Sequence, residues 1–268
     1  MAVALMPIPS RDFDPTETGV PWKVLTRRGH SVRFATPDGL PGQADERMLT
    51  GTGLGVLKPL LIADANGRCA YGEMVASPAF REPLHYQDLG VQDFDGLVLP
   101  GGHAKGMKQY LESQALQQLV ARVFEERKPV GAICHGVLLA ARALSANGRS
   151  ALFGKKTTAL TKQLELSGWA LTALWLGGYY RTYPTTVQDE VIGALAQPTD
   201  FIAGPFAMVR DSPSRIGAGF TVRDGNYLSA RWPGDAHRFA EEFATLLDSL
   251  PRQSTPSAQQ TPSDAITR

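Results

Sequence analysis

The residues with the clearest chemical potential sit together at Ala132-Ile-Cys134-His135-Gly136, where a cysteine and a histidine adjoin and small residues stand two before and two after the sulfur. This spacing suits a nucleophile elbow, a strand-to-helix turn too tight for side chains at the flanking positions. A cysteine there is held away from the backbone. At a helix N-terminus, free N–H groups and the dipole favour the thiolate, so the sequence predicts a lowered pKa and a reactive sulfur. A buried structural cysteine is the commoner fate of a lone Cys. The strand-turn-helix context and the neighbouring imidazole favour the nucleophile. Cys69, in Asn66-Gly-Arg-Cys69, lacks that context and reads as inert.

A nucleophile needs an acid, a base and donors for the oxygen that becomes negative. Backbone N–H groups of Gly102 and His135 are the expected oxyanion donors, because the Gly101-Gly102 pair permits close approach and His135 opens a helix. Glu17 lies three residues after Asp14, a spacing that by itself makes it a capping-box partner. His103 follows a Gly pair at a strand's C-terminal end, where open α/β sheets bind ligands, and reads as a pocket residue or a plain loop residue. Tyr179, Tyr180 and Trp232 are candidates for pocket walls or for packing.

The elements that must position these residues alternate between strand and helix patterns, as in βαβ units around a mostly parallel sheet. Val3–Ile8, Ser31–Ala35, Asp95–Leu99 and Pro129–Ile133 read as strands, with Thr157–Leu160 as a further candidate. Asp14-Pro15-Thr16-Glu17 starts a helix that ends at Arg27-Arg28-Gly29. Helical spacing also covers the run around Leu116–Phe124, Val137–Leu144, Lys162–Leu176, Asp189–Leu195 and Asp235–Leu250. A hairpin turns on Asp224-Gly225. Residues 37–92 lack sustained periodicity and read as an excursion from the sheet with a lid-like character. The Gly51–Gly55 run within it has neither the spacing nor the preceding strand of a phosphate loop. Residues 1–250 are expected to form one α/β domain, and 251–268, rich in Ser, Thr, Gln and Pro, a disordered tail.

Composition narrows the partners. With 27 Lys+Arg against 26 Asp+Glu, the net charge of +1 offers no electrostatic footprint for nucleic acid or an anionic membrane. Two cysteines in 268 residues do not make a disulfide scaffold, and a reducing compartment fits better. No stretch has the roughly 18 apolar residues of a membrane span, and the N-terminus lacks a basic leader. A soluble, cytoplasmic protein is expected, with no metal and no cofactor.

Pro100-Gly-Gly-His103, Ala132-Ile-Cys-His-Gly136, and Pro15-Thr-Glu17 followed by Pro21 occur in an order that resembles the DJ-1/PfpI superfamily. Within it the pattern is most similar to the Hsp31-like, glyoxalase III-like branch, from about Val3 to Leu247 and including Ala230-Arg-Trp-Pro-Gly234. The resemblance implies a flavodoxin-like three-layer sandwich, related to class I glutamine amidotransferases. It further implies Cys134 as nucleophile, His135 beside it, and Glu17 as a protonated carboxyl hydrogen-bonded to the sulfur. An acidic residue orients the histidine in that branch. Loose alignment brings Glu165 to the place, with Asp189 or Glu190 as alternatives and a solvated Glu165 as the plainer reading.

The activity implied is a cofactor-independent, glutathione-independent glyoxalase III lyase. It converts methylglyoxal or another small 2-oxoaldehyde to a 2-hydroxy acid through a hemithioacetal. A stress-response holdase chaperone acting on unfolded proteins, or a redox sensor, is the alternative, and a homodimer is the expected assembly. An amidase or peptidase is weaker still. Class I glutaminases need a late His-x-Glu pair, whereas His237 is followed by Arg238-Phe239.

Overall fold

A computed structural model describes residues 1–206 and 209–251. Nine strands are present among these residues: β1 (Val3–Pro7), β2 (Arg11–Phe13), β3 (Ser31–Thr36), β4 (Gln43–Ala44), β5 (Leu84–His85), β6 (Gly96–Leu99), β7 (Val130–Ile133), β8 (Thr221–Asp224) and β9 (Tyr227–Ala230). Seven form the main sheet in the order β5-β3-β1-β6-β7-β9-β8, and β2 pairs with β4. Every pairing is parallel except the β8–β9 hairpin. The central strands β6 and β7 are buried at every residue, as strands covered on both faces must be.

The helices are α1 (Pro15–Arg27), α2 (Glu46–Thr50), α3 (Lys58–Leu61), α4 (Ala65–Ala76), α5 (Pro78–Arg81), α6 (Lys108–Leu111), α7 (Gln114–Glu125), α8 (Gly136–Arg142), α9 (Lys162–Leu176), α10 (Val187–Ala194) and α11 (Ala236–Asp248). They flank the sheet in two groups: α1 packs on α4 and α11, and α8 packs on α6, α7 and α10. This is the mostly parallel α/β sandwich expected. None of the helices is long and apolar enough to cross a membrane.

The chain leaves β1 towards β3 and β5 on one side, then returns to build β6, β7 and β9 on the other. The topological switch therefore falls between β1 and β6, and ligands of open α/β sheets bind beyond the strand ends at such a point. Glu17, the Gly101-Gly102 pair and Cys134 all lie there, after β1, β6 and β7.

Two expectations need correction. Thr157–Leu160 does not form a strand: Thr157 makes a single bridge to Phe201, because β9 is already flanked by β7 and β8. Thr158 N instead donates to the Ser229 hydroxyl at 2.9 Å. The 37–92 excursion is also more regular than its sequence pattern shows, since β5 rejoins the main sheet along β3. Its Gly51–Gly55 run is a turn, to whose Gly53 carbonyl Trp175 of α9 donates from Nε1 at 2.8 Å. The tail expected to be disordered falls, from residue 252 onward, outside the described residues.

Candidate active site

Cys134 has a φ of 57°, one of three non-glycine residues with positive φ among those described. A left-handed conformation at a non-glycine residue costs on the order of 1–3 kcal/mol and persists only where the surroundings enforce it. Here Cys134 N donates to Ala230 O at 3.0 Å, tying the turn to β9. The following helix starts so close to β6 that a Cβ on Gly136 would run into the Leu99 carbonyl oxygen and lie 2.7 Å from that of Pro100. Gly101 is confined in the same way, its notional Cβ 2.6 Å from Glu17 Oε2 and 2.8 Å from His135 N. The predicted elbow is present.

Glu17 is fully buried on the first turn of α1. It does not complete a capping box. Asp14 caps the helix alone, accepting from Thr16 N at 2.7 Å and Glu17 N at 3.0 Å. This leaves the Glu17 carboxyl free to reach across to β6, where Oε2 accepts from Gly101 N at 2.9 Å. Oε1 has no hydrogen-bond partner, and Glu17 and Cys134 line the same cavity. Burial first, and then the charge of Asp14, raise the Glu17 pKa well above the carboxylate range. Burial therefore favours the protonated form of the Glu17 carboxyl.

The sulfur differs from expectation. Burial, reinforced by the acidic neighbours Glu17 and Asp14, raises the Cys134 pKa well above the ordinary thiol value, while a hydrogen bond from the His135 N–H opposes the rise. Cys134 is 5% exposed, and loss of hydration outweighs the short helix dipole. The resting group is a thiol rather than the predicted thiolate.

His135 Nδ1 lies 3.5 Å from the Cys134 sulfur. On its far side, Nε2 is 3.1 Å from Thr182 Oγ1, which itself donates to the His103 carbonyl at 2.5 Å. A hydroxyl has one proton, and Thr182 gives it to that carbonyl. It must therefore accept from Nε2–H, which leaves Nδ1 unprotonated and facing the thiol. Burial depresses the His135 pKa to about 3, so the imidazole is neutral.

Thr182 thus occupies the orienting position for which sequence reasoning offered Glu165, Asp189 or Glu190, and none of the three reaches His135. Glu165 Oε2 accepts from Val187 N at 2.9 Å, and its other oxygen lies 3.5 Å from Arg181 Nε. Placed at the start of α9 beside the start of α10, it satisfies the N-terminus of the neighbouring helix. Asp189 binds Lys162 and Thr186, each at 2.8 Å, and Glu190 pairs with Arg142 at 2.6 Å.

A cavity of about 330 Å³ opens over the sulfur. Glu17, Gly102, His103, Tyr180 and Trp232 line it together with Cys134, and Glu165 reaches its wall. His103 stacks on Tyr180 with ring centroids 4.3 Å apart and meets the edge of Tyr179 at 4.9 Å. Tyr179 does not reach the cavity; its hydroxyl donates to Asp45, the N-cap of α2. Arg210, which sequence analysis did not single out, also lines the cavity, with its guanidinium carbon 5.5 Å from the Trp232 ring centroid. Its loop position between elements gave no periodic signal. Among the described residues, no three His, Cys, Asp or Glu side chains are placed to hold a metal ion.

Residues 8–205 match the ThiJ/PfpI family-like domain. The chain belongs to this family. An uncharacterized protein from Schizosaccharomyces pombe is 29% identical over 42% of this chain, a match that spans 42% of that protein's length. A protein of Thermococcus kodakarensis named as a deglycase is 27% identical over 61% of this chain and 69% of its own. Among solved structures, glyoxalase III from Candida albicans superposes with a TM-score of 0.64 at 21% identity, covering 91% of this chain and 96% of that one. At that identity the likeness establishes the ThiJ/PfpI fold, and the chemistry rests on the residues described above.

Proposed function

We propose that this protein is a cofactor-independent glyoxalase that converts a small 2-oxoaldehyde to a 2-hydroxy acid, with methylglyoxal the simplest substrate and lactate its product. The observation that carries the reading is the Cys134 sulfur lining a cavity, 3.5 Å from the unprotonated Nδ1 of His135, with the buried Glu17 carboxyl lining the same cavity. The sulfur adds to the aldehyde carbon as its proton passes to His135 Nδ1. The oxygen that becomes negative takes the N–H groups of His135 and Gly102, and protonation gives a hemithioacetal. Proton transfer from C1 to C2 through an enediol, relayed by His135 and Glu17, turns it into a thioester. Water then releases the hydroxy acid and restores the thiol. Overall, one water is added and nothing is oxidised or reduced beyond the internal exchange between C1 and C2.

Relatives named as deglycases and a structural neighbour named as glyoxalase III both support a thiol that adds to a carbonyl. A redox-sensor role fits less well, because oxidation follows thiolate character and exposure and Cys134 has neither. The holdase alternative has one supporting feature in α9, where Leu171, Leu174 and Trp175 are exposed.

The test is purified protein with methylglyoxal and no glutathione, comparing wild type, Cys134→Ala and Glu17→Gln. Lactate formation is expected from the wild type, to be abolished in Cys134→Ala, and to fall at least tenfold in Glu17→Gln. Equal lactate from all three would refute the mechanism.

A further inference from the structure

The cavity carries more hydrogen-bonding capacity than methylglyoxal can use. Besides Glu17 Oε1, four buried polar atoms on its lining residues have no hydrogen-bond partner: His103 Nε2, which lies 3.9 Å from Asp45 Oδ2, Tyr180 Oη, Trp232 Nε1 and Arg210 Nη1. Buried polar groups are ordinarily satisfied, and a cluster of exceptions around one cavity points to a missing ligand. Arg210 and Trp232 can only donate, whereas Tyr180 and His103 can donate or accept. A group that offers only acceptor oxygens answers all four.

Charge selects among such groups. Arg210 is the only lysine or arginine lining the cavity among the described residues, and no carboxylate lies within salt-bridge distance of it. Its nearest acidic influence, Asp14, spends Oδ1 on the first turn of α1. This guanidinium, with Nη2 3.4 Å from the Leu60 carbonyl and Nη1 without a partner, lies against the face of an indole and suits a single negative charge held by planar oxygens. The remaining walls, Leu60, Leu61, Leu164 and Phe206 among them, suit a short methylene chain. The volume of about 330 Å³ is well beyond what three carbons fill.

Building on the glyoxalase reading, we infer that the substrate is a 2-oxoaldehyde with a carboxylate at its far end, the aldehyde at Cys134 and the carboxylate on Arg210 and Trp232 Nε1. The simplest such compound is 4,5-dioxopentanoate, which adds one water to become 2-hydroxyglutarate. The carboxylate is a spectator in the chemistry. It selects the substrate and turns the aldehyde towards the sulfur.

Two measurements test this separately from the activity itself. The first compares kcat/KM for 4,5-dioxopentanoate and for methylglyoxal. The wild type should favour the dioxo acid at least tenfold. In Arg210→Gln the ratio should fall about 30-fold, the worth of one charge-assisted hydrogen bond, mainly through KM. Trp232→Phe keeps the ring under the guanidinium and removes only the N–H, and should lower the ratio several-fold. The second measures glutarate binding by calorimetry to full-length Cys134→Ala, which cannot turn over; binding should be lost when Arg210→Gln is added. Glutarate binding that depends on Arg210, with neither aldehyde consumed by the wild type, would uphold the carboxylate site and defeat the glyoxalase reading. Methylglyoxal turnover with no preference for the dioxo acid, or a ratio unmoved in both Arg210→Gln and Trp232→Phe, would overturn the carboxylate site and leave the glyoxalase reading standing.

Discussion

Replacing Thr182 with valine removes one hydroxyl and almost no volume, and the consequences for the site can be worked through atom by atom. Two hydrogen bonds vanish, one accepted from His135 Nε2 at 3.1 Å and one donated to the His103 carbonyl at 2.5 Å. The imidazole is 1% exposed, so an Nε2–H left in place would be buried without an acceptor, at a cost of about 1–3 kcal/mol. The ring can relieve that cost by moving its proton to Nδ1. The new Nδ1–H then faces the sulfur 3.5 Å away, and the nitrogen can no longer take the thiol proton.

Stability should therefore fall only by about 1–2 kcal/mol, chiefly from the stranded His103 carbonyl. The rate should fall much further, because a positioned general base is worth about 10²–10⁴-fold. The assays are urea denaturation at pH 7 and kcat/KM with methylglyoxal across pH 5–9, with imidazole nitrogen shifts read by NMR to report the tautomer. Thr182→Ser, which keeps the hydroxyl, should restore both the rate and the wild-type pH profile. Wild-type kcat/KM in Thr182→Val, with the proton still on Nε2, would refute the assignment of Thr182 as the group that orients His135.

Other perturbations report on the rest of the site. Burial raises the Asp14 pKa from 3.8 to about 6, so the native state keeps a proton that the unfolded chain has lost. This group's contribution to stability is greatest below pH 4 and is lost as the pH rises through 6. Asp14→Asn keeps the helix cap without the titration, so in urea melts it should gain on the order of 3 kcal/mol over wild type at pH 8 relative to pH 4. A stability difference independent of pH would contradict it. Limited alkylation with iodoacetamide at pH 7, read by peptide mass spectrometry, should modify exposed Cys69 well before buried Cys134; the reverse order would mean an accessible thiolate at the elbow. Gly136→Ala forces the start of α8 away from the end of β6 and should cost about 3 kcal/mol or more in chemical denaturation. A near-neutral effect would show that the turn has room to spare.

The elbow was legible in the sequence because its constraint, although imposed by a neighbouring strand, leaves its mark in residue type. Backbone atoms of Leu99 and Pro100 exclude any Cβ at position 136, so glycine itself carries the signal. Helix starts were legible because their rules are local, Asp14 and Pro15 announcing α1 within one turn. Glu17 was only half legible, since Asp14-x-x-Glu17 spells a capping box whether or not the carboxyl turns back to the cap. Here it spans to Gly101 instead, a contact across 84 positions. Thr182 and Arg210 were not legible at all. Both sit in connecting segments without periodicity, and each acquires its role from residues brought near by the sheet order. The sulfur's protonation state was misjudged because the helix dipole can be read from a motif, whereas burial depends on how the whole cavity closes.

That misjudgement bears on how the site would work. A thiol, a neutral imidazole and a neutral carboxylic acid are the arrangement that an enclosed site of this kind favours, because separating charge there carries a desolvation penalty that water would otherwise offset. On the proposed chemistry an entering aldehyde would bring the missing charge acceptor: as the sulfur adds, negative charge would form on oxygen rather than remain on sulfur, where the proposed backbone N–H donors would take it. The proton needs to travel only the 3.5 Å contact to His135 Nδ1, and the orientation imposed by Thr182 keeps that nitrogen ready to receive it. On that reading ionisation would be tied to carbonyl addition, and between turnovers the sulfur would stay in the form that oxidants attack most slowly.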